Sequence, residues 1–190
     1  MKKINRILFW GLVNFVWMVG CTKDETNSSE NLHISFTTPE WNAVIDCNEL
    51  SFDYTKYATY SPTSASTNLQ WTLTLPQDSS LLNQPSNIKK YPIIGYESSF
   101  NYPPFAYLQK VPFTQGSSIK LVPIANDSIK ENSYHQISAI TYDHSDASAA
   151  YFKVKASYKM KMRKLPATSD PDSVRFVYGD YLIMVLVNKK

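Results

Sequence analysis

Little in this chain is built for chemistry on phosphates or metals. Its 190 residues hold five glycines, and these form neither a phosphate-cradling loop nor a Gly-x-Ser-x-Gly elbow. Of three histidines, His33, His135 and His144, only the last has possible ligands close by, in Asp143-His144-Ser145-Asp146. That set is too small for zinc and too sparse for a calcium loop. A polar turn is the better reading, so no metal and no other cofactor is expected. Triads are recognised by geometry, so abundant serine argues neither for nor against one. Glu40, Asp46, Glu49, Glu97 and Glu131 supply carboxylates, but no spacing selects two for glycoside hydrolysis.

Two cysteines, Cys21 and Cys47, cannot make a disulfide framework. Cys47 reads as a small buried hydrophobe. No long run has helical apolar spacing, no segment repeats and no heptad is present. What remains is strand signal. Leu32, Ile34 and Phe36 alternate with polar residues, as do Leu50, Phe52 and Tyr54, and Leu69, Trp71, Leu73 and Leu75. Period two marks a strand with one wet face. Residues 91–96, 105–111, 119–124 and 135–142 are weaker candidates. Pro92, Pro112 and Pro123 place these at edges, bulges or ends, because proline donates no ladder hydrogen bond. Residues 60–66 and 76–87 read as loops, with room for one helix among residues 77–90.

The last third carries the plainest pattern. Phe152, Val154, Ala156, Tyr158, Met160 and Met162 alternate with Lys153, Lys155, Ser157, Lys159, Lys161 and Arg163. After a proline-bearing loop comes Val174–Val187, ending in a run apolar on both sides, which suits the middle of a sheet. The two segments are expected to pair antiparallel, Tyr158 inward and Lys159 outward. Gly179-Asp180 is read as a bulge in preference to a hairpin turn.

The first residues are an address. Lys2, Lys3 and Arg6 precede an apolar run from Ile7 to Val19, which is short of the ~20 residues that span a bilayer. Met18-Val19-Gly20-Cys21 follows. This resembles a bacterial lipobox, which implies cleavage before Cys21 and lipidation of its thiol. Several acyl chains together hold a protein stably at a membrane. Thr22-Lys23-Asp24-Glu25 is similar to the surface-export signal of Bacteroidota lipoproteins, carried here by Lys23, Asp24 and Glu25. The resemblance implies lipid-anchored residence in the outer membrane with exposure at the cell surface. Asp127-Ser128-Ile129 and Asp172-Ser173-Val174 resemble the short O-glycosylation sequon of envelope proteins from the same group, making Ser128 and Ser173 candidate acceptors.

Charge adds an exclusion. Removing Lys2, Lys3 and Arg6 from the 19 basic residues leaves 16, against 16 acidic ones. A neutral mature chain gives no reason to expect nucleic acid. It also favours reading Lys153, Lys155, Lys159, Lys161 and Arg163 as a wet strand face over a grip on an anionic polymer, though they remain candidate binding residues. Tyr60, Tyr91, Tyr96, Tyr102 and Tyr107 are possible sugar-stacking aromatics. Tyr102-Pro103-Pro104-Phe105 reads as an exposed loop, so Tyr102, Phe105 and Tyr107 are singled out.

The expectation is therefore a signal peptide (residues 1–20), a lipidated tether (21–31) and one all-β domain (32–190), an antiparallel β-sandwich or barrel-like. The function expected is non-catalytic: a binding or accessory module for an extracellular polysaccharide or a neighbouring envelope protein. A structural subunit of an envelope or fimbria-like assembly is the alternative, and a small hydrolase ranks last.

Overall fold

The computed structural model describes residues 30–48, 53–54, 58–60, 63–64, 69–95, 102–125, 133–165 and 174–189. Cys21, Lys23, Asp24, Glu25, Ser128 and Ser173 lie outside them. No helix among the described residues is long and apolar enough to cross a membrane.

The chain is all-β and antiparallel. Its strands are β1 (His33–Thr37), β2 (Asn42–Asp46), β3 (Asp53–Tyr54), β4 (Ala58–Tyr60), β5 (Thr63–Ser64), β6 (Leu69–Leu75), β7 (Lys90–Tyr91), β8 (Tyr107–Pro112), β9 (Lys120–Pro123), β10 (Tyr134–Ser145), β11 (Ala149–Leu165) and β12 (Val174–Asn188). A one-turn α-helix, α1 (Ser79–Leu82), capped by the Asp78 carboxylate, and a 3-10 turn at Pro85–Asn87 fall within residues 77–90. The sheet runs β2-β1-β12-β11-β9-β8-β6-β4-β3. It has two ends and does not close into a barrel.

Strand β11 is the spine. Along one edge it pairs with β12 from Ala149 to Arg163 without a register shift. Its other edge is shared: β10 takes Ala150 to Lys159, and β9 takes Met162 to Leu165. This division turns the sheet over on itself, so that β6 and β8 face β10, β11 and β12. The expected hairpin is therefore present, with Tyr158 buried and Lys159 on the outer face. Strict alternation explains it. Phe152, Val154, Ala156, Tyr158, Met160 and Met162 are all buried, and a one-residue slip would expose the whole set.

Gly179-Asp180 is neither bulge nor turn. Tyr158 pairs with Gly179 and Ser157 with Asp180 in continuous register. The glycine answers to a close approach. A Cβ there would lie 2.8 Å from the Tyr158 hydroxyl and equally near the Ser35 carbonyl carbon. Tyr158 donates to the Ser35 carbonyl at 2.6 Å, directly over the glycine.

Other strand expectations need adjustment. β2 went unread because Ala43-Val44-Ile45 has no alternation; it forms by pairing along β1. β5 lies in a stretch read as loop. β7 stops at Tyr91, where Pro92 removes the next donor. Pro112 and Pro123 do sit at strand ends. Cys47 is buried, its thiol 3.6 Å from the Ile45 carbonyl.

Candidate functional site

Aromatic rings divide into two sets by the parity of their strands. The inner set fills the core. Trp71 on β6 lies edge-on to Tyr181 on β12, with ring centres 5.1 Å apart, and donates to the Tyr107 hydroxyl at 2.8 Å. Tyr107 stacks on His135 at 4.8 Å, and His135 Nε2 meets the Tyr181 hydroxyl at 2.7 Å. Burial pushes the Tyr107, Tyr158 and Tyr181 hydroxyls up, so all three stay protonated. Burial also pulls His135 down to about 3, against a weaker opposing pull from the Phe105 backbone, so its imidazole is neutral.

Two of the aromatics expected to bind belong to this inner set. Phe105 is 4% exposed and Tyr107 1%. Phe105 adopts φ +64°, an uncommon conformation for a residue with a side chain, and its ring stacks on Tyr91 at 5.0 Å. The Thr74 carbonyl accepts from the Phe105 amide at 2.7 Å and helps hold the turn. The Pro103-Pro104 loop thus turns Phe105 inward, and no ligand can stack on either ring. Tyr102 is half-buried.

The outer set is where a ligand has access. Antiparallel register places Thr37, Tyr178, Lys159 and Tyr134 in one row across β1, β12, β11 and β10. The next row reads Val44, Ser35, Asp180, Ser157 and Gln136. Phe176 follows Tyr178 on the same face of β12. Apart from Val44 and Gln136, these residues line a shallow groove of about 700 Å³, within the range usual for ligand sites. Phe176 is 42% exposed and Tyr178 51%, although their strand, β12, runs between β1 and β11. Lys159 Nζ sits 5.3 Å from the centre of the Phe176 ring, and Lys90 Nζ 4.5 Å from that of Tyr134.

Asp180 anchors the polar end. Its carboxylate accepts from the Ser35 hydroxyl and lies 3.3 Å from His33 Nε2. Ser35 Oγ in turn accepts from the Asp180 amide at 3.0 Å, standing in for a ladder bond between β1 and β12. Burial would raise the Asp180 carboxyl, but the hydrogen bonds from Ser35 and His33, with the His33 charge, outweigh it and hold it low.

Ser35, His33 and Asp180 are thus a serine, a histidine and an aspartate in contact. Their order is wrong for nucleophilic attack. Both the hydroxyl and the imidazole bond the carboxylate, whereas a nucleophilic serine must hand its proton to the histidine. What the arrangement can do is hold Asp180 ionised at the groove wall as an acceptor.

The basic ladder splits. Lys153 is 2.9 Å from Asp143, and Lys155 is 3.1 Å from Glu30. Lys159, Lys161 and Arg163 make no ion pair among the described residues. Asp143-His144-Ser145-Asp146 ends β10 and begins its turn. There Asp146 accepts from the Ser148 and Ala149 amides, both at 2.8 Å. Those bonds pull its carboxyl down to about 2. Among the described residues no three His, Cys, Asp or Glu side chains converge as metal ligands.

Phe176, Tyr178, Tyr134 and Asp180 were not singled out from sequence. The signal was present: Phe176, Tyr178 and Asp180 share one parity, and Val177, Gly179, Tyr181 and Ile183 the other. An all-β chain with an open aromatic face on its central strands is the class that fold and site define. No protein-family model, curated protein or solved structure matches it.

Proposed function

We propose that the chain is a non-catalytic, lipid-anchored binding module whose open sheet face takes an extracellular glycan polymer. One observation carries this reading: half-exposed Phe176 and Tyr178 stand side by side in a shallow groove beside Asp180, Ser35, Ser157 and Lys159. Flat rings offer the apolar face of a sugar a stacking surface, and the surrounding groups serve its hydroxyls. A surface that leaves such rings exposed gives up the burial they would gain in a core. The lipobox at Cys21 and Lys23-Asp24-Glu25 support display at the outer membrane surface, where such polymers are met.

Affinity electrophoresis of the full-length protein in detergent micelles tests the reading. Mobility should fall in gels holding a bound polysaccharide. Phe176→Ala with Tyr178→Ala should restore it without changing the melting temperature. Retardation that survives the double substitution would place binding elsewhere. For the address, Cys21→Ser should abolish membrane attachment, whereas alanine at Lys23, Asp24 and Glu25 should reduce only surface labelling of intact cells.

A second reading, an assembly subunit, is favoured by β2. It is the last strand on its side of the sheet, with no strand beyond it among the described residues, and Val44 on it is 72% exposed. Light scattering separates the two. A subunit that assembles through this edge should dissociate on Val44→Lys.

A further inference from the structure

Resting on the glycan-binding reading, the register of β11 against β12 narrows the polymer to an acidic one. Lys159 lies directly opposite Tyr178, and Lys161 directly opposite Phe176. Each exposed ring on β12 therefore has a lysine beside it. Facing Cβ atoms in such pairs are about 5 Å apart, and successive pairs repeat about 6.5 to 7 Å along the strand. The Lys159 ammonium leans diagonally over the Phe176 ring at 5.3 Å, so it serves both rings.

Charge is distributed unevenly along the ladder. Lys153 and Lys155 face Asp143 and Glu30, whereas Lys159, Lys161 and Arg163 face no carboxylate among the described residues. The unneutralised cations are thus the ones beside the exposed rings. The groove's carboxylate, Asp180, lies on the far side of Tyr178 from Phe176 and is already engaged by Ser35 and His33. The groove is therefore polarised, cationic at Phe176 and anionic beyond Tyr178.

We infer that this face binds a glycan bearing a carboxylate or sulfate on successive sugars. Each ring stacks on Tyr178 or Phe176, and its acid group meets Lys159 or Lys161. Asp180 accepts from a sugar hydroxyl and repels a third acid group, which fixes the direction of the chain. Single-stranded nucleic acid also pairs stacking rings with cations, but the neutral mature chain and the carboxylate in the groove disfavour it.

The test uses the full-length protein in detergent micelles against four probes: polygalacturonate, dextran sulfate, neutral dextran and single-stranded DNA. At least one acidic polysaccharide should bind about tenfold or more tighter than neutral dextran, and added salt should weaken it. Polygalacturonate alone, or dextran sulfate alone, would identify the acid group. Lys159→Gln with Lys161→Gln should weaken acidic-polymer binding about tenfold with the melting temperature unchanged. Lys153→Gln with Lys155→Gln, on the same strand face, should leave binding within about twofold. If neutral dextran binds as tightly as the acidic polymers, and binding depends on Tyr178 but not on Lys159 and Lys161, the acidic assignment falls while the glycan reading stands. Binding to none of the four probes overturns both. Preference for DNA overturns both in favour of a nucleic-acid surface.

Discussion

Two aromatic clusters occupy opposite faces of the same strands and share no role. Tyr158 and Tyr181 face inward, where they join Trp71, Tyr107 and His135. Tyr178, three residues from Tyr181, faces outward beside Phe176 and Lys159. The inner cluster is linked by hydrogen bonds and has no access to solvent, so it fixes the packing of β6 and β8 on the spine strand. The outer cluster leaves its rings half open and its cations unneutralised among the described residues. Aromatic content alone therefore says nothing about binding here. On β12, parity along the strand decides which ring is structure and which is surface.

The largest expected effects lie on the inner face. Val185 is 1% exposed and pairs with Phe152, so Val185→Asp would bury an unpaired charge. It should cost more than about 4 kcal/mol and leave the domain unfolded or barely folded, as read by urea denaturation. An unchanged midpoint would contradict the burial. Gly179→Val comes next. The added carbons collide with the Ser35 carbonyl and the Tyr158 hydroxyl, and the backbone must shift, at a cost of about 1–3 kcal/mol.

Acid should act through His135. Its folded value, about 3, lies below the ordinary 6.5, so the folded state disfavours the charged imidazole. The stability tied to the neutral form is complete above about 6.5. It falls as pH drops from there to about 3, by up to about 1.4 kcal/mol per unit. Urea midpoints between pH 7 and 4 should decline less steeply in His135→Gln, which keeps a hydrogen-bonding group but cannot charge. Equal slopes would mean that other groups set the acid response.

The smallest stability effects belong to the outer face. Tyr178→Ala and Phe176→Ala should each change folding stability by no more than about 0.5–1 kcal/mol while weakening glycan binding about tenfold or more. That is the reverse of the pattern for Val185 and Gly179.

Local alternation was enough to read β6 and β11, whose apolar residues recur with an unbroken period of two, whereas β12 was legible from its continuous apolar run. It failed at β2, where Ala43-Val44-Ile45 is apolar at every step and the strand exists only because β1 is beside it. Phe105 was misread because its burial depends on a left-handed backbone that no residue type announces. Tyr107 was misread with it, as an extension of the same loop. Gly179 resembled a break in the strand, yet its reason lies across the sheet in Tyr158 and Ser35. The candidate site was half legible. Lys159 and Lys161 were picked out as cations on a wet face. Their aromatic partners lie across the β11–β12 ladder, and only the pairing register brings the two sets together.

Tyrosine nitration mapped by mass spectrometry, with and without an acidic polysaccharide that binds, tests the two-face account most directly. Tyr178 and Tyr142 are exposed to nearly the same degree, 51% and 53%, whereas Tyr107, Tyr158 and Tyr181 are buried. The account predicts that Tyr178 and Tyr142 are modified in the free protein and the three core tyrosines are spared. The polymer should then protect Tyr178 and leave Tyr142 reactive. Protection of Tyr142 with Tyr178 still open, or ready modification of the core tyrosines in the folded protein, would contradict it.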